Sequence, residues 1–515
     1  MIQVKNLNIV HKKDLRTIIE NFSLVLNDGD KAVMIGEEGN GKSTLLKWIY
    51  DPQMVSDYCE ADGERIVQGQ KLGYLPQELP AADCGKSIYE YFMEEELFME
   101  HTPKELGRLA GEFGLPIDFF YGDQCMATLS GGEKVKAQLL RLLLAEPDIL
   151  LLDEPSNDID LETLEWLEKF ILDWKRIVLY ISHDETLIEH TANVIIHMEQ
   201  IRRKTICRHT IVHTSYLQYK ERRQDQFTHQ ARMAANDRRE KKIREEKYQR
   251  IYQSVDHAQA VITRQNPSKA RLLKKKMHAV KSMERRFMRQ DENMTEMPEE
   301  ETAIFFKLGS EQAKIPAGKT VIEYTLDKLY TPDHERLLSE NISLLMRGSQ
   351  KLCIVGTNGT GKTTLLHKIA DELLKRKDLY AEYMPQDYEE LLDFSMTPID
   401  FLDQSGNKEV RTKIRTYLGA LKYTADEMNH TIGELSGGQK AKILLLKMSL
   451  SGANVLILDE PTRNFSPLSG PVIRQMLKDF PGAVISISHD RKYIEEVCDR
   501  VCRLTDHGLE EAEFI

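Results

Sequence analysis

The sequence predicts an α/β protein built from two tandem domains of one kind, joined by a long basic α-helical hairpin. Three observations carry that expectation. The pattern G-x4-G-K-[ST] occurs twice, at residues 36–43 and 356–363, each time between a short apolar run and a helix-forming stretch. Each copy is followed by a second apolar run that ends in Asp-Glu-Pro, at residues 153–155 and 459–461. Such continuous apolar runs suit strands buried on both faces of a parallel sheet. Between the copies, residues 217–290 contain no glycine and a single proline, so nothing in that stretch breaks a helix until Pro267.

The bulk composition narrows the class. A chain of 515 residues is long enough for two or three domains with their own cores. No apolar run approaches the 18 residues of a membrane span, and the start, MIQVKNLNIV, lacks the charged and apolar regions of a secretion signal. Seven cysteines are scattered and odd in number, with Cys498 and Cys502 the only close pair. They read as reduced thiols, and the expected location is the cytoplasm.

In the first domain KAVMI (residues 31–35) runs into Gly36, Gly39, Gly41, Lys42, Ser43 and Thr44. Backbone N–H groups of such a loop and of the helix it opens can cradle phosphates. Lys42 reaches the terminal phosphates, and Ser43 can ligate magnesium. Asp153, at the end of the run ILLLD, suits the shell of a magnesium ion, and Glu154 suits polarising an attacking water. Between these motifs lie Gln77 and the segment Leu129-Ser130-Gly131-Gly132-Glu133, and His183 follows a second apolar run, VLYIS. Ser130 and the glycine amides at a helix start make a further anion seat.

The set of five motifs, in this order, resembles an ABC-type ATPase domain. The resemblance implies ATP and Mg2+ as ligands. It also implies that Gln77 senses the metal with Ser43 and Asp153, that His183 contacts the γ-phosphate, and that Ser130, Gly131 and Gly132 cap ATP held by the opposite domain. The whole set recurs as Gly356, Gly359, Gly361, Lys362, Thr363 and Thr364, then Gln386, Ser436-Gly437-Gly438, Asp459-Glu460 and His489. Here Thr363, Gln386 and Asp459 are the expected metal shell, and Glu460 and His489 the expected catalytic pair beside Glu154 and His183. Asn21 and Asn341 each stand 15 residues before their phosphate loops. Head-to-tail pairing within one chain, a monomer, would set Lys42 opposite Ser436 and Lys362 opposite Ser130.

The copies are not identical. Tyr330 stands where the family stacks an aromatic on adenine, and the aligned residue of the first copy is Val10. Ser156-Asn-Asp-Ile-Asp160 ends in the aspartate expected of the family, whereas Thr462-Arg-Asn-Phe-Ser466 lacks it. The two ATP sites are therefore not expected to hydrolyse at equal rates.

The hairpin carries 21 Lys/Arg against 8 Asp/Glu, a net +13 in a chain whose total is −12. A basic projection on an acidic body favours a polyanion as partner. Good helix formers fill residues 217–252, and Asn266-Pro267 opens a second helix. An apolar seam is expected from Leu273, Met277, Val280 and Phe287 on that second helix and from Ile243, Tyr248, Ile251, Tyr252 and Val255 on the first. The tip is expected near residues 253–268, locally apolar through Val255, Ala258, Ala260, Val261 and Ile262 and ending in Arg264 and Gln265.

Two ATPase domains around such a linker resemble the ABC-F proteins. Membership implies binding at the tRNA exit site of the 70S ribosome, against 23S rRNA and P-site tRNA, with no membrane subunit. Between Gln77 and Ser130 lie 52 residues, against 49 between Gln386 and Ser436, which leaves no room for the extra helical arm of many members. The chain given closes 26 residues after His489. Together with PTRNFSPLSGP after Glu460, this resembles the antibiotic-resistance branch from Gram-positive bacteria. That branch protects the ribosome from lincosamides, pleuromutilins and streptogramin A. The alternatives are a housekeeping ABC-F translation factor and, further off, the tandem ATPase of an importer. Expected boundaries are 1–212 and 301–515 for the ATPase domains and 213–300 for the linker.

Overall fold

The computed structural model describes residues 1–201, 206–260, 267–291, 294, 295, 297, 308, 313–331, 336–403 and 406–512. The chain divides into two compact units, one formed by Met1–Tyr216 with Glu301–Ile515 and the other by Leu217–Glu300. The larger unit contains both α/β domains.

The first domain begins with strands β1 (Ile2–His11), β2 (Thr17–Leu26) and β3 (Lys31–Ile35), helix α1 (Lys42–Tyr50), then β4 (Cys59–Ile66) and β5 (Leu72–Leu75). Three short helices, α2 (Ala81–Cys84), α3 (Ile88–Met93) and α4 (Pro103–Glu112), lead to α5 (Gly131–Leu144). There follow β6 (Ile149–Asp153), α6 (Leu161–Asp173), β7 (Ile177–Ile181), α7 (Glu185–Thr191), β8 (Val194–Ile201) and β9 (Ile206–His213). The main sheet has the order β5-β6-β7-β3-β8-β9, parallel except for the last pair, and a smaller antiparallel sheet has the order β2-β1-β4. Strands β3, β6 and β7 are buried at every residue, which is why they read as unbroken apolar runs. The phosphate loop leaves the C-terminal end of β3, at the edge where open parallel sheets hold their ligands.

The second unit is a helical hairpin of α8 (Tyr216–Ala260) and α9 (Pro267–Asp291). Helix α8 runs about eight residues beyond the expected end near residue 252, to a length of roughly 68 Å at 1.5 Å per residue. Ser254–Ala260 continue the helix rather than forming a tip, because nothing between Gln253 and Ala260 is a breaker. Residues 261–266 of the expected tip, Val261, Ile262, Arg264 and Gln265 included, lie outside the described residues, and Pro267 and Ser268 already belong to α9. Val280 is buried and Leu273, Met277 and Phe287 are half-buried, as expected of a seam. On α8 Tyr248, Ile251, Tyr252 and Val255 are covered as expected, and only Ile243, 57% exposed, gives way, to Arg244. The Arg244 guanidinium sits over the Phe287 ring at 5.9 Å and 3.5 Å from Asp291, and Lys241 reaches Asp291 at 3.0 Å. The seam is amphipathic at this end, with a basic stem covering a ring, and an apolar pattern misses Arg244.

The second domain repeats the first with β10 (Thr320–Tyr330), β11 (Leu337–Arg347), β12 (Lys351–Val355), α10 (Lys362–Leu374) and β13 (Ala381–Met384). Then come α11 (Pro398–Leu402), α12 (Lys408–Ala420), α13 (Gly437–Ser451), β14 (Val455–Asp459), α14 (Gly470–Lys478), β15 (Ala483–Ile487), α15 (Arg491–Val497), β16 (Arg500–Thr505) and β17 (Gly508–Ala512). Its sheet order, β13-β14-β15-β12-β16-β17, is that of the first domain strand for strand. The repeat of Asn21 and Asn341 has a local cause. Both adopt positive φ, 50° and 55°, a conformation that asparagine tolerates better than most residues.

Candidate functional site

Both phosphate loops turn into their helices through a left-handed glycine. Gly41 and Gly361 are the N-caps of α1 and α10 with φ of 87° and 90°, and a Cβ on Gly41 would stand 2.1 Å from Ile18 Cγ2. Only glycine fits there. Lys42 Nζ donates to the carbonyls of Gly36 (2.7 Å) and Glu37 (3.0 Å), and Lys362 Nζ to those of Gly356 (2.8 Å) and Thr357 (2.9 Å). Each lysine is thus held folded over its own loop.

The metal-shell candidates meet in part. Ser43 Oγ donates to Asp153 Oδ1 at 2.9 Å, with the Tyr74 hydroxyl 3.3 Å from Oδ2. Thr363 likewise bonds Asp459. Burial pushes Asp153 and Asp459 both up to about 6, opposed by those hydroxyls. Asp459 Oδ2 is buried without a hydrogen-bond partner among the described residues. A buried carboxylate raised by desolvation and left short of donors fits a cation beside it. Gln386 lines the same cleft as Thr363 and Asp459, whereas Gln77 does not join Ser43 and Asp153. Gln77 is exposed and lines the cleft of Lys362, and Gln386 Nε2 donates to Asp158 Oδ1 of the opposite domain at 3.0 Å.

That cleft, of roughly 1160 Å³, brings together Lys362, Thr363, Asp459, Glu460 and His489 from the second domain with Ser130 and Gly131 from the first. Thr331 and Arg336 line it next to Tyr330, the last residue of β10. Ser130 and Ser436 cap α5 and α13, each in a reciprocal capping box with Glu133 or Gln439. The serine hydroxyls therefore sit on their own helix starts.

Glu154 and Glu460 occupy equivalent positions, each just past a fully buried strand with φ of 51° and 49°. Left-handed backbone at a glutamate is strained, and strain of this kind clusters at functional positions. Their electrostatics differ. His183 Nε2 lies 3.0 Å from Glu154 Oε1, and its Nδ1 lies 2.7 Å from the Phe465 carbonyl of the other domain. Against the upward push of burial, His183 and Lys42 hold Glu154 at about 2; burial pulls His183 down, and the glutamate more than offsets it, so that His183 is raised. In the second domain His489 Nε2 lies 3.7 Å from Glu460 Oε1. Burial and the charge of Asp459 push Glu460 up to about 8, while burial and Lys362 push His489 down to about 4. The two glutamates are thus pushed in opposite directions, Glu154 towards its charged form beside His183 and Glu460 towards its neutral form beside His489.

Several interdomain contacts carried no motif. Asp158 accepts from Arg463 Nη2 at 2.8 Å, and Arg474 donates to Glu185 at 2.7 Å with both side chains 3% exposed. Lys492 reaches Glu185 at 3.4 Å and also pairs with Glu189, and Arg491 reaches Glu168 at 3.0 Å. A signal was present: after the two histidines the first copy reads Asp184-Glu185 and the second Asp490-Arg491-Lys492. Opposite charges at aligned positions are what a head-to-tail pair needs to close.

Asp184, the N-cap of α7, is pushed up to about 6 by burial and by Asp490, with Arg491 pulling the other way. Its neutral form suits the fold, so that stability is complete below the ordinary carboxylate range and is lost as pH rises through 6. Asp184→Asn keeps a good cap. It is expected to raise the Tm at pH 7.5 by roughly 2–4 °C, the size that about 1 kcal/mol gives in domains of this length. At pH 4 the two proteins should melt together; thermal unfolding at both pH values checks it.

Residues 19–157 and 339–463 match the ABC transporter family. The chain is 28% identical over 549 residues to the uncharacterized ABC transporter ATP-binding protein YkpA of Bacillus subtilis, covering 99% of this chain and 95% of that protein. It is 28% identical over 547 residues to the energy-dependent translational throttle protein EttA of Escherichia coli (96% and 90% covered). To ABC transporter F family member 2 of Arabidopsis thaliana it is 25% identical over 549 residues (96% and 75% covered). Among solved structures, the archaeal ribosome recycling factor aABCE1, in complex with the stalk protein aP1, superposes with a TM-score of 0.58 at 17% identity. That alignment covers 97% of this chain and 87% of the other, and at such identity it speaks for the fold. No helix among the described residues is long and apolar enough to cross a membrane. The chain belongs to the ABC transporter family, and its two α/β domains are ABC ATPase domains that bind and hydrolyse ATP.

Proposed function

We propose that this protein is an ABC-F ATPase of the cytoplasm that works on the ribosome. In this reading it binds the tRNA exit site of the 70S particle through its basic hairpin and protects the peptidyl-transferase centre from lincosamide, pleuromutilin and streptogramin A drugs. The observation that supports it most is the hairpin itself. Residues 217–290 carry a net +13 in a chain whose total is −12, most of it on a 45-residue and a 25-residue helix. Ribosomal RNA and P-site tRNA offer the phosphate density such a surface needs. Relatives named as a translational throttle and as F family members support the ribosomal reading, and the close spacing of Gln77 and Ser130 supports the branch without an arm.

Within the ATPase sites, Lys42 and Lys362 hold the terminal phosphates, and the loop amides from Gly36 to Thr44 and from Gly356 to Thr364 cradle the remainder. Tyr330 stacks on adenine. Ser130, Gly131 and Gly132 close the cleft of Lys362, and Ser436, Gly437 and Gly438 that of Lys42. Ser43 and Asp153, and Thr363 and Asp459 with Gln386, would hold Mg2+, which would supply positive charge to the phosphate oxygens; Gln77 would join the first set on leaving the Lys362 cleft that it lines here. Glu154 and Glu460 orient water, and His183 and His489 steady the γ-phosphate.

Drug protection is tested at the hairpin's end. Shortening residues 256–265 to a brief glycine-containing turn is expected to leave ATPase activity and ribosome binding intact. Protection of a susceptible host should be abolished, as read by drug susceptibility. Full protection by a stable, ribosome-binding variant contradicts the role assigned to the tip, whereas a deletion strain with unchanged drug susceptibility favours a housekeeping translation factor.

A further inference from the structure

The phosphate loops differ where the chain meets the opposite signature helix. Aligned on their first glycines, Glu37-Glu38 of the first loop stands against Thr357-Asn358 of the second. Asn358 lies against aspartates of the first domain. Its N–H donates to Asp160 Oδ2 at 3.1 Å and its side-chain amide to the Asp158 carbonyl at 2.7 Å. At the other cleft the charges are exchanged. The positions of Asp158 and Asp160 are there Asn464 and Ser466, and the carboxylate comes from the phosphate loop.

Glu38 Oε2 accepts the N–H of Gly438 at 2.7 Å, in the first turn of α13. The adjacent Glu37 carboxylate lies 3.3 Å from Lys442 Nζ on the same helix. A Cβ on Gly437 would stand 3.2 Å from Glu38 Oε2, so the carboxylate is seated tightly against the helix start. The free N–H groups and dipole of a helix N-terminus favour an anion. This is the seat that the family resemblance gives to the γ-phosphate of ATP, and here the chain fills it itself.

We propose that Glu38 is a built-in surrogate for the terminal phosphate and sets how well the Lys42 cleft distinguishes ATP from ADP. The proposal rests on the nucleotide sites assigned above. A triphosphate entering this cleft must displace Glu38 from Gly438 and bring its charge close to the carboxylate. A diphosphate leaves the contact in place. The cleft therefore closes on its own carboxylate and gains little from the third phosphate, whereas the Lys362 cleft, with Asn358, carries no such competitor on its loop.

The test uses the full chain with Lys362→Ala, so that tight binding reports the Lys42 cleft, and measures ATP and ADP affinity with Mg2+ by calorimetry. Glu38→Asn, which installs the residue of the second loop, is expected to tighten ATP binding by about ten-fold, equal to about 1.4 kcal/mol, and to move ADP by less than about two-fold. Glu38→Gln, which keeps the length and removes the charge, should reproduce this selectivity for ATP. Unchanged ATP affinity, or equal changes for both nucleotides, overturns the surrogate role. Lys42→Ala in the same background separates the two claims. If it abolishes nucleotide binding while Glu38→Asn is silent, only the surrogate falls; if binding is untouched, the assignment of the cleft falls too.

Discussion

Replacing Glu154 and Glu460 together by glutamine is expected to slow ATP turnover by about 10²–10³-fold or more while ATP still binds. Each glutamate ends a fully buried strand in a strained left-handed conformation beside an aspartate and a histidine. Glutamine preserves that shape and removes the carboxylate that orients water. The two positions should contribute unequally. Glu154 is held ionised by His183, whereas Glu460 is raised to about 8 by burial and by Asp459. At neutral pH Glu154→Gln alone should therefore remove the larger share of the activity. Steady-state phosphate release from the two single variants and the double variant checks this, and a double variant with the parent rate contradicts the assignment.

Reversing the charge of Lys274, Lys275 and Lys276 to glutamate is expected to cost most of the ribosome affinity and leave ATPase without ribosomes unchanged. All three are exposed on α9, as are Arg285 and Arg286. Each lysine–phosphate contact that forms releases counterions, so the slope of log affinity against log salt should fall by roughly 0.7–0.9 per contact removed. Affinity measured across a salt series decides it. An unchanged slope would make the basic face a solvated surface of the hairpin.

Much of this molecule was legible because its signals are local. The strands KAVMI, ILLLD and IVLYI are buried on both sides, and that environment forces an apolar run that shows in any reading of the chain. The phosphate loops are legible because only glycine fits at Gly41 and Gly361. The duplication then supplies a second copy of each signal. What escaped depends on pairing across the chain. Ile243 is apolar and in the right stretch, yet its place in the seam goes to Arg244, which is held by Phe287 and Asp291 some forty residues away. Glu38 looks like a tolerated variation inside a motif until Gly438 is brought to it. The clamp of Arg474 on Glu185 spans 289 residues and has no periodicity to betray it. The unequal acidity of Glu154 and Glu460 is a property of burial and of neighbours 29 residues along, at His183 and His489.

Sedimentation of the Glu154→Gln, Glu460→Gln variant with purified 70S particles tests the ribosomal reading most directly, because this variant is expected to keep ATP bound between its closed domains. The variant is expected to pellet with ribosomes in ATP and Mg2+, to stay in the supernatant in ADP, and to be released as salt is raised. If it remains in the supernatant in ATP at low salt while still binding nucleotide, the ribosomal reading is contradicted.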